Sequence, residues 1–468
     1  MEIVMQPVPI GFSQSAFEGS IGVARVDITP PLGIYARNWG AALHDVAEGV
    51  HRPLTATAIT VQPKSPDSTD PPLVLVTLDL GWWRSYRDEQ SLRLALLEAL
   101  DLPPERLMLS FTHTHSGPAL CREDADKPGG ALIAPYLDFL GDAVQRAVEN
   151  AVASAVPGML EWSYGKCGLA QNRDLPDPSR PRFLTGYNPV GTPDDTLLVG
   201  RASDSDGLCI ATLVNYGCHP TTLAWQNRLL SPDFVGAMRE FVEANTGGAP
   251  CLFLQGASGE LAPREQYTAD TSVADAHGRQ LGFAVLSTLT GMLPPGMGLS
   301  FACTVESGAP LALWKRRPIT ASICTSAVRI EVDFPLQPMP TTTELNDKIR
   351  TCDDRVQIER LSRKRRIREA VGDGKSAPMP VWIWSVGAAL FLGHPNEAYS
   401  QLQTELRRRF PDRPIVVMNV VNGHFGYLPP TDLYSEDLYP VWQTPFGPGS
   451  LERLIAACAE TIETQFAT

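Results

Sequence analysis

The sequence predicts an α/β fold, a mixed central sheet flanked by helices, with a polar site at the carboxyl ends of the strands. Three observations predict it. Short β-branched or leucine-rich runs recur along the chain, each run stops abruptly in polar and glycine-rich residues, and helical segments fill the intervals between them.

Taken in order, Ala56–Val61 and Val74–Leu78 read as strands joined by a surface turn across the Pro/Ser/Asp-rich stretch Pro63–Pro72. Val74–Leu78 runs into Asp79, Leu107–Phe111 into His113 and His115, and Ile210–Asn215 into Gly217 and His219. Leu252–Leu254 leads into QGASGELAP, Ala388–Leu392 into GHPNEAY, and Ile415–Val421 into NGHFGYLPP. Tyr136–Ala155 and Ser272–Leu289 are helical segments between the runs. The most charged stretch, Glu344–Glu369, mixes acids with bases and reads as a solvated helix rather than a binding arm. No repeat, low-complexity tract or separating linker interrupts the 468 residues, so one domain over 1–468 is the expectation.

Charge excludes some classes of partner. A net charge of −13 and a pI near 5.2 repel nucleic acid and anionic membranes. A small or acylated substrate, neutral or apolar, fits better. No stretch reaches membrane-spanning length, and Met1–Ser20 lacks the basic and apolar regions of a secretory signal, so a soluble cytoplasmic protein is expected. Nine cysteines without a CxxC pair argue against a fully paired disulfide framework, and oligomeric state leaves no mark.

The histidines point to chemistry. In open α/β sheets ligands bind beyond the carboxyl ends of the strands, and five of the eight histidines, at 113, 115, 219, 394 and 424, fall at such exits. A lone buried histidine is usually satisfied by a backbone hydrogen bond; several on one rim are harder to explain structurally. Residues two apart in extended chain face the same way, so His113 and His115 can share a cavity. A divalent ion such as zinc takes about four nitrogen, sulfur or oxygen ligands. Spacing permits His113, His219, Glu397 and Tyr427 without selecting among them, and Cys218 reads as a small buried core residue.

The stretches VDITPPLG (Val26–Gly33), THTHSGP (Thr112–Pro118), NYGCHPT (Asn215–Thr221), HPNEAY (His394–Tyr399) and NGHFGYLPP (Asn422–Pro430) resemble the catalytic domain of the neutral/alkaline, non-lysosomal ceramidase family in motif and in order. That resemblance implies a zinc amidase with His113, His219, Glu397 and Tyr427 around the metal. It implies His115 as a catalytic or substrate-contacting histidine and Arg173 as a polar contact in the pocket; His51 and Asp79 resemble further recurring positions. Two departures stand out. The family's Gly-Asp-x-Ser-Pro motif reads Gly259-Glu260-Leu261-Ala262-Pro263, which puts Ala262 at the serine needed for activity, and the family's immunoglobulin-like C-terminal domain is not expected here.

The remaining residues suffice for hydrolysis without that serine. Zinc lowers the pKa of a bound water from about 15.7 towards 7 and polarises a carbonyl, while His115 or Glu260, tuned near neutrality, handles the proton of the leaving amine. A phenol at Tyr427 can bind the metal and donate to a developing oxyanion. The expected function is therefore zinc-dependent hydrolysis of the C–N bond of a small or acylated amide by a metal-activated water. An esterase or lactonase on the same site and a catalytically silent metal-binding protein are the alternatives. Ser258 replaces the missing hydroxyl only if its loop shifts, and Trp82, Trp83, Trp225 and Phe425 are candidates for an apolar pocket lining.

Overall fold

The computed structural model describes residues 11–64 and 70–466. Eight strands build the large sheet: β1 (Ser15–Asp27), β2 (Thr55–Pro63), β3 (Leu73–Leu78), β4 (Leu107–Phe111), β5 (Val156–Lys166), β6 (Thr196–Asp204), β7 (Cys209–Tyr216) and β8 (Cys251–Gln255). They lie in the order β8-β7-β6-β5-β1-β2-β3-β4. The sheet is mixed, as expected: β3 runs parallel to β4 and β7 to β8, while the other neighbours are antiparallel. A second sheet, in the order β9-β10-β11-β12, comprises β9 (Thr325–Pro335), β10 (Ser376–Val386), β11 (Ala389–Gly393) and β12 (Ile415–Met418). Part of the turn expected over Pro63–Pro72, residues 65–69, lies outside the described residues, as do the first ten residues.

Side-chain alternation sorts each strand into two buried faces. Val74, Val76 and Leu78 of β3 join the core under helices α1 (Tyr86–Ala99) and α2 (Ile133–Ala153). Leu73 and Leu75 point the other way, into a core shared with Trp382, Trp384, Phe391 and Met418 of the second sheet. At the far side of the large sheet, Val214 and Phe253 meet α3 (Phe234–Ala244) and α4 (Thr271–Gly291), and Leu213 and Leu254 face the second sheet. Cover on both faces is why β3, β4 and β8 are buried end to end and read as unbroken apolar runs. Nine free cysteines are consistent with packing by burial rather than cross-linking, and Cys218 is fully buried among the core residues of α3 and β8.

The large sheet curls, and one short segment ties its two edges together. Asn419 donates its backbone N–H to Gln255 O on β8 (2.9 Å), and Asn422 donates its own to Leu109 O on β4 (3.1 Å). The Asn422 side chain repeats the tie, accepting from Leu109 N (2.8 Å) and donating to Leu107 O (2.9 Å). The expected strand Ile415–Val421 therefore stops at Met418. Val420 (φ 56°) and Asn422 (φ 52°) take left-handed backbone to reach both edges, a conformation Asn tolerates and a β-branched residue rarely adopts.

The charged stretch expected to be a solvated helix is two helices, α5 (Thr342–Arg350) and α6 (Arg355–Val371), set between β9 and β10. It is not simply solvated. Ile367 and Val371 of α6 enter the second sheet's core, and Arg366 pairs with Asp124 at 2.7 Å while Arg37 pairs with Glu359 at 2.9 Å. The helix thereby lies across the mouth of the cavity described below.

Replacing Asn422 by Ala strands a buried N–H and a buried C=O on β4 and removes a residue suited to positive φ. Each stranded group costs about 1–3 kcal/mol, so the urea midpoint should fall by an amount equivalent to about 2–5 kcal/mol. An unchanged midpoint would mean that the edges are held by something else.

Candidate metal centre

His113 leaves β4 two residues after Phe111, and His219 leaves β7 three residues after Tyr216. Glu397 and Tyr427 follow β11 and β12 and face each other as a parallel bridge pair. The curled sheet and its strap bring these four exits together. The rings of His113 and His219 lie 4.9 Å apart, those of His219 and Tyr427 6.5 Å apart and nearly parallel.

Backbone carbonyls fix the tautomers. His113 Nδ1–H donates to Gly81 O (2.9 Å) and His219 Nδ1–H to Ser258 O (2.7 Å), so each presents the Nε2 lone pair inward. Both lone pairs face the same carboxylate oxygen: Glu397 Oε2 lies 2.9 Å from His219 Nε2 and 3.3 Å from His113 Nε2. His113 Nε2 is buried without a donor. His424, to which the motifs assign no role, takes the other side of Glu397, its Nε2 2.8 Å from Oε1. His113 itself has φ 68°, backbone held by its own N–H bond to Leu80 O (2.9 Å).

Three acceptors converging in a site this buried repel one another unless a cation lies among them. The donor set of two imidazoles and a carboxylate is one that zinc accepts, so the residues fit the metal that the motifs implied. His115 adds a third nitrogen: one ring nitrogen each from His113, His115 and His219 lies within 4.8 Å of the others. Both nitrogens of His115 are buried without partners, and its ring packs between Trp82 (4.9 Å) and Trp39 (5.1 Å).

Around this centre, Arg173 is nearly fully buried and donates Nη2–H to Gly259 O (2.7 Å), to the Tyr427 hydroxyl (3.2 Å) and towards His219 Nε2 (3.2 Å). Burial, and next the Arg173 charge, push the His219 pKa down to about 3, which keeps its imidazole neutral. Burial and the Glu397 charge push the Tyr427 phenol well above its ordinary range, so it stays protonated. Burial and neighbouring His113 hold His115 well below neutrality, not near it as expected, and His115 is therefore a neutral imidazole.

Glu260 has a different neighbourhood from the histidines. Its carboxylate accepts the Ser400 N–H (3.0 Å) and the Ser400 hydroxyl, and so caps α7 (Gln401–Arg409) just beyond Glu397. Its backbone carbonyl accepts the Arg173 N–H (2.8 Å). Ala262 sits in the short strand Leu261–Pro263, opposite Gln171 and fully buried. The Ser258 hydroxyl is tied by Gln255 Nε2 at 2.7 Å, and it is the Ser258 carbonyl that reaches the site, through His219. Asp79 is a buried bidentate partner of Arg239 (2.7 and 2.6 Å), and His51 bonds Ser231 Oγ (2.9 Å). That His51–Ser231 pair, with Asp275 3.2 Å from His51 Nε2, has the spacing of a hydrolytic triad, but Ser231 is fully buried and out of reach.

The centre opens into a cavity of about 610 Å³ walled by Trp39, Trp82, Trp225, Tyr267 and Tyr439, with His115, Arg173 and Tyr427 at its inner end. Of the expected lining residues, Trp82 and Trp225 face it. Trp83 packs on Phe111 and Phe425 on Tyr86, inside the two cores.

Fold and site together define a mixed α/β protein with a buried histidine–carboxylate centre able to hold a metal at the end of an aromatic cavity. Comparison narrows the class. The sequence is similar to neutral ceramidase of Pseudomonas aeruginosa, 26% identical over 258 residues, which are 52% of this chain and 36% of that protein. The structure superposes on a ceramidase complexed with C2 with a TM-score of 0.65 at 17% identity, over 96% of this chain and 75% of the other. A crystal structure of the Pseudomonas aeruginosa neutral ceramidase gives 0.63 at 17% identity, over 95% and 74%. No protein-family model matches the chain. The chain shares the fold of these ceramidase structures, and the part aligned in sequence spans about a third of the curated relative's length.

The Glu260 geometry predicts a pH effect of definite sign. Burial raises its pKa from the ordinary 4.5 to about 7, so the folded state binds the proton more tightly than the unfolded one. Below about pH 4.5 both states are protonated; as pH rises to 7 the wild type loses stability, at most roughly 1.4 kcal/mol for each pH unit climbed. Urea melts of Glu260→Gln should show the variant gaining on the wild type across that window. A difference flat with pH would contradict the assignment.

Proposed function

We propose that the chain hydrolyses the C–N bond of an acylated amide, with one zinc ion held by His113, His219, Glu397 and Tyr427. One observation carries the reading: the Nε2 lone pairs of His113 and His219 converge on Glu397 Oε2 inside a buried site. The similarity to an enzyme named neutral ceramidase supplies the substrate class, an N-acyl amide. When bound, such an ion supplies Lewis acidity that polarises a carbonyl and lets water ionise near neutral pH.

The chain's own residues do the rest. Arg173 and the neutral Tyr427 phenol, held together at 3.2 Å, present donors at the inner end of the cavity where charge develops on the carbonyl oxygen. His115 faces the same cavity with both ring nitrogens unpartnered; as a neutral imidazole it takes a proton from water and returns it to the departing amine. Glu397 is oriented by His424, and the imidazoles by Gly81 and Ser258, so that ligand geometry is set before anything binds. Trp39 and Trp82 flank His115 and shield it from bulk water. A small apolar acyl group fits the aromatic walls.

His219→Ala should lose zinc, measured by plasma mass spectrometry, and amide hydrolysis together. His115→Ala should keep zinc and lose turnover roughly a hundredfold. Zinc loss in the second variant would make His115 a ligand instead, and a fully metallated, active first variant would end the reading.

With Ala262 unable to attack and Ser258 tied to Gln255, no acyl-enzyme should form. Hydrolysis in water enriched in heavy oxygen should label the acid product in a single turnover, and Ser258→Ala should retain activity within about threefold. An acyl group trapped on Ser258 by mass spectrometry would show a serine mechanism.

A further inference from the structure

We propose that Arg363, with Arg360 beside it, recognises an anionic group on the substrate, so that the site takes acylated amides carrying a carboxylate next to an apolar or aromatic portion. The inference deepens the amide-hydrolase reading above and rests on it for the reaction, but its own basis is the charge lining the cavity.

The arginines of α6 divide into two sets. Arg365 pairs with Glu123 and Glu369 at 2.7 Å each, Arg366 with Asp124 at 2.7 Å, and Arg368 with Asp373 at 2.8 Å. Arg360 and Arg363 instead line the 610 Å³ cavity, and among the described residues neither has a carboxylate within salt-bridge distance. Arg363 donates Nη1–H to the Tyr439 hydroxyl (3.2 Å) and lays its guanidinium over Trp82, 5.4 Å from the ring centre. Arg360 lies over Trp442, 5.2 Å from its ring centre. Glu359, the acid on the same wall, is held by Arg37 at 2.9 Å.

Three guanidinium groups, Arg173, Arg360 and Arg363, thus share the cavity with one carboxylate that is already paired. In a protein of net charge −13, a local surplus of positive charge on partly desolvated walls is most economically satisfied by an anion from outside. A planar guanidinium resting on an aromatic ring is pre-set for bidentate capture of a carboxylate. The distance suits a compact substrate. Trp82, beneath Arg363, is also the ring packed 4.9 Å from His115 and 5.9 Å from His113, and Tyr439 packs 5.6 Å from Tyr427. One aromatic ring therefore separates the anion site from the metal centre.

The test compares matched probes with zinc-loaded protein. N-octanoyl-phenylalanine and its carboxamide place the charge, or its neutral counterpart, on the amine side; N-benzylsuberamic acid and its diamide place it on the acyl side. In one pair the carboxylate should be preferred in kcat/KM by about tenfold to hundredfold, the worth of a charge-assisted hydrogen bond. Arg363→Gln should bring that ratio within threefold of unity, Arg363→Lys should keep part of it, and Arg365→Gln, on the paired side of α6, should leave it intact. Dansyl-phenylalanine and its carboxamide, whose sulfonamide resists hydrolysis, report binding by fluorescence whether or not the protein turns anything over. If no amide is cleaved but the dansyl preference exists and disappears in Arg363→Gln, the hydrolase reading fails and the anion site stands. Equal or weaker handling of the carboxylate in every pair, or a preference untouched by Arg363→Gln, overturns the proposal.

Discussion

Closure of the large sheet is the constraint on which the site depends. His113 leaves one edge strand and His219 the strand next to the opposite edge, six strand positions away. In a flat sheet with strands about 4.8 Å apart, the two would stand roughly 29 Å from each other. Their rings are 4.9 Å apart. Twist and curl bring the edges round, and Asn419 and Asn422 hold them, filling backbone donors and acceptors that an open edge would leave exposed. The positive φ of Val420 and Asn422 is the conformational cost of that tie. Because the strap also leads from β12 to Tyr427, the segment that closes the sheet delivers a site residue in the same stroke.

A second layer of order is electrostatic. The imidazoles of His113 and His219 are each pinned from behind by a main-chain carbonyl, and the carboxylate between them is pinned by His424. None of these partners is a flexible surface charge. Their positions are set by loops tied down by backbone bonds of their own, such as Gly259 N to Ala398 O (2.9 Å) and His219 N to Leu261 O (2.9 Å). Such a cage is poorly satisfied empty and tolerates little rearrangement. That is the behaviour expected of a preformed cation site rather than of packing.

Much of this was legible in sequence, and the limits have physical causes. β3, β4, β7 and β8 announce themselves because both faces are buried, and the polar stops after them are true strand exits. The six-strand separation of His113 and His219 is invisible in a linear pattern, since curl is a property of the whole sheet. Ile415–Val421 looks like one strand because every residue but Asn419 is apolar, and the change comes in the backbone angle at Val420. Glu260, two residues from the missing serine, invites a catalytic role. Its engagement with Ser400 lies 140 positions away in sequence, and no local signal reveals it. The mixed charges of α6 average to a solvated face over a window; which arginines have acidic neighbours is decided by Glu123, Asp124 and Glu369 in three dimensions. His424 was visible as a strand-exit histidine, and its motif, NGHFGY, already held it three residues from Tyr427.

The placement of α5 and α6 separates the cavity wall from the sheet that carries it. Both helices are an excursion between β9 and β10, antiparallel neighbours whose register runs unbroken from Thr325–Val386 to Pro335–Ser376. The strand ends that launch and receive the excursion, Pro335 and Ser376, are adjacent in the sheet, so the two helices leave and return without interrupting a rung of the ladder. None of His113, His219, Glu397 and Tyr427, which converge on the candidate metal centre, lies on it. The wall over the cavity and the side chains that converge beneath it are thereby built on separate stretches of chain.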